Sequence, residues 1–316
     1  MRVAAIDCGT NSIRLLIADV KDKDGHLELK DRVREMRIVR LGQGVDATGW
    51  LAEAALERTF AAVEEYARLI TKHKVDAIRF VATSATRDAG NRQVFVDGIT
   101  SRLGVTPEVV SGDEEAALSF RGALNAAAGL TPEDRVLVVD LGGGSTECVL
   151  GSPEHVIAAR SVDVGCVRMT ERHLGSNPPT EEQQRLVLRD VDEAMDTVAR
   201  TVPLELTTRL VGVAGTVTTV SAMAMGLSRY DEDRINGSVL DSDVVIRACR
   251  ELTGMTREER AELGFMHEGR VDVIGAGALV WRRIIERVSD ATNGRVSTVT
   301  ASEHDILDGI ALSLAA

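Results

Sequence analysis

One pattern occurs twice in this chain of 316 residues, and it restricts the fold more than any other feature. Near the N-terminus the chain reads VAAIDCGTNSIRLLIADV, and from residue 136 it reads VLVVDLGGGSTECVL. Each copy opens with apolar and β-branched residues that suit a strand buried on both faces. Each run stops at an aspartate, crosses a short glycine-containing loop and resumes as a second strand. Asp7 aligns with Asp140, Gly9 with Gly142 and Ser12 with Ser145, at the same internal spacing. Such a repeat predicts two related half-domains, each offering one loop to a shared cleft.

The second copy states the chemistry more openly. Gly142, Gly143 and Gly144 let the backbone turn tightly and bring its N–H groups close to a ligand, while Ser145 and Thr146 add hydroxyl donors. Asp140 and Glu147 flank the same loop with negative charge, which opposes a bare anion. Donors and carboxylates are reconciled if the ligand is a phosphate carrying a divalent cation. For one such loop a tight hairpin with purely geometric glycines is an equal alternative. Its duplication tips the reading towards phosphate.

Composition excludes several classes. Aromatic residues make up only 3% and the net charge is −12, so neither base-stacking platforms nor long-range attraction to nucleic acid or anionic membranes is expected. Hydrophobic residues at 44% and charged residues at 27% fit a globular chain with enough length for two domains. No apolar run is long enough to span a bilayer, and Met1 and Arg2 lead directly into a strand without a signal peptide. Cys8, Cys148, Cys166 and Cys249 lack metal-knuckle spacing and read as reduced thiols of a cytoplasmic protein. The six histidines do not cluster with acids at metal spacing and receive no catalytic role.

Between the two hairpins, residues 27–41 predict one or two strands carrying Arg32 and Arg34 on one face, read as a solvated surface rather than a basic flank. A helix is expected over 51–72, with Asp46 or Thr48 available to cap it. The strand at 76–83 runs into Ser84, Ala85, Thr86 and Arg87, a placement typical of ligand groups at a sheet's carboxyl edge. Arg87 is a candidate phosphate contact or the partner of an ion pair with Asp88 or a neighbour. Ser111 and Asp113 then cap a helix extending to about residue 127. On it, Glu114 shares a face with Leu118 and Arg121, whereas Glu115 shares one with the small Ser119 and Gly122. That open side favours Glu115 as the functional carboxylate, although acids in a first turn are ordinary dipole stabilisers.

Residues 126–134 form the expected hinge. In the second half, strand 209–213 feeds Ala214, Gly215, Thr216 and a helix, a third junction whose N–H groups suit an anion. Gly226–Ser238 reads as a loop, a helix follows Gly275 and Gly277 through about Ile285, and a last strand at 296–300 precedes a helix at 306–314.

Taken together, DCGTNSIRLL, ATSATRDAGN, SGDEEAALSFRG, VVDLGGGSTE, GVAGTVTT and RVDVIGAGAL resemble, in this order, the exopolyphosphatase / guanosine pentaphosphate phosphohydrolase family. The resemblance implies an α/β actin-like fold of duplicated ribonuclease-H-like domains around an interdomain cleft. It assigns 1–126 plus 301–316 to the first domain and 127–300 to the second. It also implies Mg²⁺-dependent hydrolysis of the terminal phosphate of inorganic polyphosphate. Guanosine pentaphosphate hydrolysis is the alternative, and a non-catalytic polyphosphate or alarmone sensor is a third reading. A sugar or acetate kinase is less favoured.

Carried over by motif, Glu115 is the general base, with Glu114 as fallback. Asp140 and Glu147 are the metal and water-positioning acids, joined by Asp7 through water. Thr10, Asn11, Ser12, Gly143, Gly144, Ser145, Gly215 and Thr216 cradle the phosphates. A homodimer is expected from the resemblance alone. Two departures stand out. The chain lacks the C-terminal helical domain of longer relatives, which favours short substrates. The segment SEHDILDGIAL replaces the family's usual S-x-x-G-x-R-x-G and loses a basic residue.

Overall fold

A computed structural model describes residues 1–23, 26–124 and 129–315, which divide into two units: Met1–Gly122 with Ile306–Ala316, and Ala123–Asp305. The expected hinge residues 126–128, the predicted helix end near 127 and the domain boundary at 126/127 fall outside the described residues.

In the first unit, β1 (Arg2–Cys8) and β2 (Ser12–Lys23) form the first repeated hairpin, and β3 (His26–Ile38) continues it antiparallel. A short helix α1 (Val45–Thr48) and the long α2 (Glu53–His73) lead to β4 (Ala77–Ala82). Then come α3 (Ser84–Asp88), α4 (Arg92–Leu103), β5 (Glu108–Val109) and α5 (Gly112–Ala123). The sheet order is β3-β2-β1-β4-β5, with β4 parallel to both β1 and β5. Alternation along β1 and β2 sorts the core. Ala4, Ile6, Cys8, Ile13, Leu15 and Ile17 face Val63 and Tyr66 of α2, whereas Val3, Ala5, Leu16, Ala18 and Val20 face the other side.

The second unit repeats the plan. β6 (Val136–Leu141), β7 (Thr146–Gly151) and β8 (Val156–Val162) are antiparallel neighbours, followed by α6 (Cys166–His173) and α7 (Glu181–Ala199). Next are β9 (Arg209–Val213), α8 (Ala214–Ala224), α9 (Glu232–Ile235), β10 (Val239–Asp241), α10 (Ser242–Gly254) and α11 (Arg257–Ala261). α12 (Ile274–Ala291) and β11 (Thr298–Ala301) complete it, and α13 (Ile306–Ser313) packs Ile306, Leu307, Ile310 and Ala311 on the free face of β1 and β2. Read from β8, the second sheet runs β8-β7-β6-β9-β11-β10. Strands β6 to β9 and β11 thus match β1 to β5 in order and direction, and β10 is an added antiparallel edge. This duplicated ribonuclease-H-like topology is the actin-like α/β fold.

Glycine governs the close packing of the second core. Trp281 lies fully buried over Gly212, where an added Cβ would meet its ring at 2.7 Å. Gly275 and Gly277 sit inside the first turn of α12 rather than before it, and Arg260 and Thr216 occupy the space that side chains there would need.

Several local expectations give way to tertiary context. Residues 26–38 form one strand, with Arg32 as the unpaired residue of a bulge opposite Ile17 and Ala18. Asp46 and Thr48 lie within α1 and cap nothing downstream, since α2 starts after Ala52 without a side-chain cap. Ser84–Asp88 is helical, the 226–238 loop contains α9, β10 precedes α10, and α12 extends to Ala291. The arginines of β3 are paired, Arg32 with Asp19 at 2.5 Å and Arg34 with Asp308 at 2.6 Å. No helix among the described residues is long and apolar enough to cross a membrane.

Candidate active site

The two repeated hairpins close in the same way. Gly9 donates its N–H to the Ser12 carbonyl at 3.0 Å, and Gly142 donates to the Ser145 carbonyl at 3.1 Å. Directly behind the turns, Asp7 is registered opposite Arg14 and Asp140 opposite Glu147.

What covers each loop decides which way its amides point. In the second unit, the Gly142 carbonyl accepts from Cys166 N at 3.0 Å, and the Gly143 carbonyl from Val167 N at 2.9 Å and Arg168 N at 3.1 Å. The Gly144 carbonyl accepts from Arg168 Nε at 2.7 Å. A planar trans peptide holds its C=O and N–H on opposite sides. With these carbonyls turned onto the start of α6, the N–H groups of Gly143, Gly144 and Ser145 are turned away from it. Gly165 makes this contact possible, because a Cβ there would overlap the Gly143–Gly144 backbone. The result is a row of three adjacent amide donors turned away from α6, the kind of donor set an anion can use.

In the first unit, residues 39–42 do the same work. Val39 N and Arg40 N donate to the Asn11 carbonyl at 3.1 and 2.8 Å, and Gly42 N donates to the Thr10 carbonyl at 2.8 Å. The amides of Asn11 and Ser12 therefore face the other way. The Thr10 hydroxyl is buried and hydrogen-bonded to Ser84 Oγ at 2.9 Å, so its side chain fastens the loop to α3.

The carboxylates behind the loops differ sharply. Asp7 Oδ2 accepts from Arg14 Nη2 at 2.7 Å and Nε at 3.0 Å, a bidentate-donor pair that neutralises this acid within its own sheet. Asp140 and Glu147 are 7% and 1% exposed and face each other across the β6–β7 ladder. Ser161, opposite Glu147 on β8, donates to its Oε1 at 2.7 Å. Like charges on directly opposed residues of an antiparallel pair repel each other. A divalent cation relieves that repulsion. Oxygen donors from two carboxylates, with water and phosphate oxygens completing the shell, suit Mg²⁺, which rarely takes an all-protein cage. No group of three or more acids, histidines or cysteines among the described residues is placed to hold a metal.

The remaining candidates lie at the same ends of their sheets. Cys8, Ala82 and Val109 are registered neighbours at the ends of β1, β4 and β5, so the first loop, α3 and the start of α5 leave one edge together. There Arg87 Nη1 donates to the Val110 carbonyl at 3.1 Å and to Glu115 Oε2 at 3.0 Å. Arg87 thus makes an ion pair with Glu115, a neighbour contributed by α5. The two glutamates separate cleanly. Glu115 is 7% exposed, while Glu114 lies at the surface and pairs with Arg79 Nη2 at 2.6 Å. Ser111 caps the helix by accepting from Glu114 N at 3.2 Å. In the second unit, Asp140 and Val213 are registered neighbours, which brings the glycine loop and the start of α8 side by side. Thr216 packs between Gly277 and Cys166, and a Cβ at Gly277 would meet it at 2.7 Å.

One donor expected at the loop is committed elsewhere: the buried Thr146 hydroxyl donates to the Val164 carbonyl at 2.6 Å. Conversely, sequence reasoning overlooked Gly165, Arg168 and the 39–42 segment, which fix the loops from behind. A glycine directly after a strand at Val164-Gly165 was the available signal for the first of these.

Comparison with known proteins identifies the family. The Ppx/GppA phosphatase family pattern matches residues 17–314. Exopolyphosphatase 2 of Mycobacterium tuberculosis is 51% identical over 321 residues, covering 99% of this chain and 98% of that protein. A crystal structure of an exopolyphosphatase-like protein superposes with a TM-score of 0.93 at 46% identity, covering 99% and 98% of the two chains. An exopolyphosphatase structure from Cytophaga hutchinsonii gives a TM-score of 0.88 at 25% identity, covering 99% and 97%. With the family pattern spanning nearly the whole sequence and half the residues shared with a full-length relative, the chain belongs to the Ppx/GppA phosphatase family.

Proposed function

We propose that this protein is a Mg²⁺-dependent exopolyphosphatase that removes the terminal phosphate of inorganic polyphosphate. The observation that carries the reading is the row of Gly143, Gly144 and Ser145 amides turned away from α6, next to the buried Asp140–Glu147 pair. Amides alone would serve any anion and carboxylates alone any cation. Side by side they suit a phosphate bearing a metal. Asp140 and Glu147 would hold the Mg²⁺, which when bound offsets negative charge on the phosphate oxygens. Asp7, engaged by Arg14, would serve it less directly.

Hydrolysis also needs a group that takes a proton from water, and Glu115 is suited to it by burial. Arg87 holds one carboxylate oxygen and so acts as a positioning residue for the base. Glu114, in its surface pair with Arg79, is the poorer candidate. The amides of Gly143, Gly144 and Ser145 would stabilise charge on the transferred phosphoryl group, supported by Gly215 and Thr216, while Asn11 and Ser12 offer the amides of the first unit's loop to phosphate. Bonding through backbone amides reads only phosphate oxygens, so the 5′-triphosphate end of guanosine pentaphosphate is the second substrate to test.

The test is phosphate release from polyphosphates of graded length and from guanosine pentaphosphate, with and without Mg²⁺. Wild-type protein should release phosphate only with the metal, and Glu115→Gln should lower turnover by about 10²- to 10⁴-fold with unchanged circular dichroism. Full turnover in that variant would remove Glu115 from the mechanism. Tight binding without release in wild-type protein would replace the enzyme with a sensor.

A further inference from the structure

Near the start of α8 lies a polar cluster that the reaction above does not use. The Glu303 carboxylate and the Tyr230 hydroxyl are 2.5 Å apart, and the same hydroxyl lies 2.7 Å from Thr218 Oγ1 in α8. Glu303 is held in place by its own N–H, which donates to Asn236 Oδ1 at 3.1 Å. Arg270 packs on the first turn of α8 and acts on Glu303 and Tyr230 through its charge. Its guanidinium lies against Gly215, where a Cβ would overlap it, and its Nη1 donates to Thr219 Oγ1 at 3.1 Å.

Tyr230 has a single phenolic proton. When Glu303 is ionised, that proton goes to the carboxylate and Thr218 donates to the phenolic oxygen. When Glu303 is protonated, it donates to Tyr230 and the phenol donates to Thr218. The cluster thus has two hydrogen-bonding states, one proton apart. Burial pushes the Glu303 carboxyl up to about 7, reinforced by Glu232 of α9 and by Asp305 in its own segment, and opposed by Tyr230 and Arg270. Burial also pushes the Tyr230 hydroxyl up, so the phenol stays protonated throughout.

We propose that Glu303 is a positioning residue for the α8 turn: its charge sets how much of the Arg270 positive field reaches a phosphate at Gly215 and Thr216, so polyphosphate binds more tightly when Glu303 is protonated. The inference rests on the phosphatase reading and adds a pH response to it. The sign follows from linkage. A polyanion at the turn disfavours the ionised carboxylate and raises its pKa, so binding takes up a proton and weakens as pH rises.

The experiment measures KM and kcat for tripolyphosphate from pH 6 to 8 in wild-type protein, Glu303→Gln and Tyr230→Phe. The wild-type KM should rise about two- to fivefold more across this range than that of Glu303→Gln, the span given by a coupling of half to one pKa unit for a group titrating at about 7. The glutamine variant removes the titration while keeping the shape, so differences from wild type exclude protonation of the substrate itself. Tyr230→Phe deprives ionised Glu303 of a donor and should move the KM rise to higher pH. Release with the same KM profile in wild type and Glu303→Gln overturns this inference and leaves the phosphatase reading standing. No release by wild-type protein at any pH overturns both.

Discussion

The hairpins β1–β2 and β6–β7 share a turn, a register and a covered loop, yet opposite chemistry stands behind them. Asp7 faces Arg14, and Asp140 faces Glu147. The first aspartate is satisfied within its own sheet, while the second faces another acid. Duplicating a scaffold therefore did not duplicate a site. One residue, basic in one copy and acidic in the other, separates a self-neutralised loop from one suited to a cation. The covering segments differ as well. An irregular stretch at 39–42 backs the first loop, whereas the N-terminus of α6 and the Arg168 side chain back the second.

The comparison can be broken most severely from behind the loops. In Gly165→Ala the new methyl would meet the Gly143–Gly144 backbone, which cannot yield as a side chain can. We expect about 3 kcal/mol of destabilisation, read by denaturant melting, and a loss of polyphosphate affinity of at least tenfold. At Gly42 the corresponding contact is with the Thr10 side chain, so Gly42→Ala should cost less.

Neutralising the two aspartates should shift stability in opposite directions. Without metal, Asp140→Asn relieves repulsion from Glu147 and should stabilise the protein by about 1–2 kcal/mol. Asp7→Asn leaves Arg14 without its bidentate partner and should destabilise it by about 2 kcal/mol. Thermal melts in chelator check both signs. The smallest expected effect lies at Ala214, which begins α8 with φ 71°, a conformation that disfavours a side chain. Ala214→Gly should stabilise by about 0.5 kcal/mol in the same melts.

The repeat was legible because hairpins write themselves locally: aspartate, glycine and serine at fixed offsets between apolar runs specify strand, turn and strand. Helix α5 was legible for the same reason, and the small residues flanking Glu115 distinguished it from Glu114. The rest depends on distant segments meeting. Nothing near Gly142 announces that Cys166, Val167 and Arg168 will turn its loop, and nothing near Arg87 names Glu115 as a partner. Thr146 looked like a loop donor until the fold brought the Val164 carbonyl to it. Asp46 and Thr48 resembled caps for α2, yet they lie inside a short helix of their own.

The claim that the second hairpin, and not the first, bears the cation is tested most directly by Mn²⁺ binding, followed by electron paramagnetic resonance in wild-type protein, Asp140→Asn and Asp7→Asn. The account predicts that Asp140→Asn weakens binding at least tenfold while Asp7→Asn stays within about threefold of wild type. Loss of the site in Asp7→Asn with full binding in Asp140→Asn would contradict it.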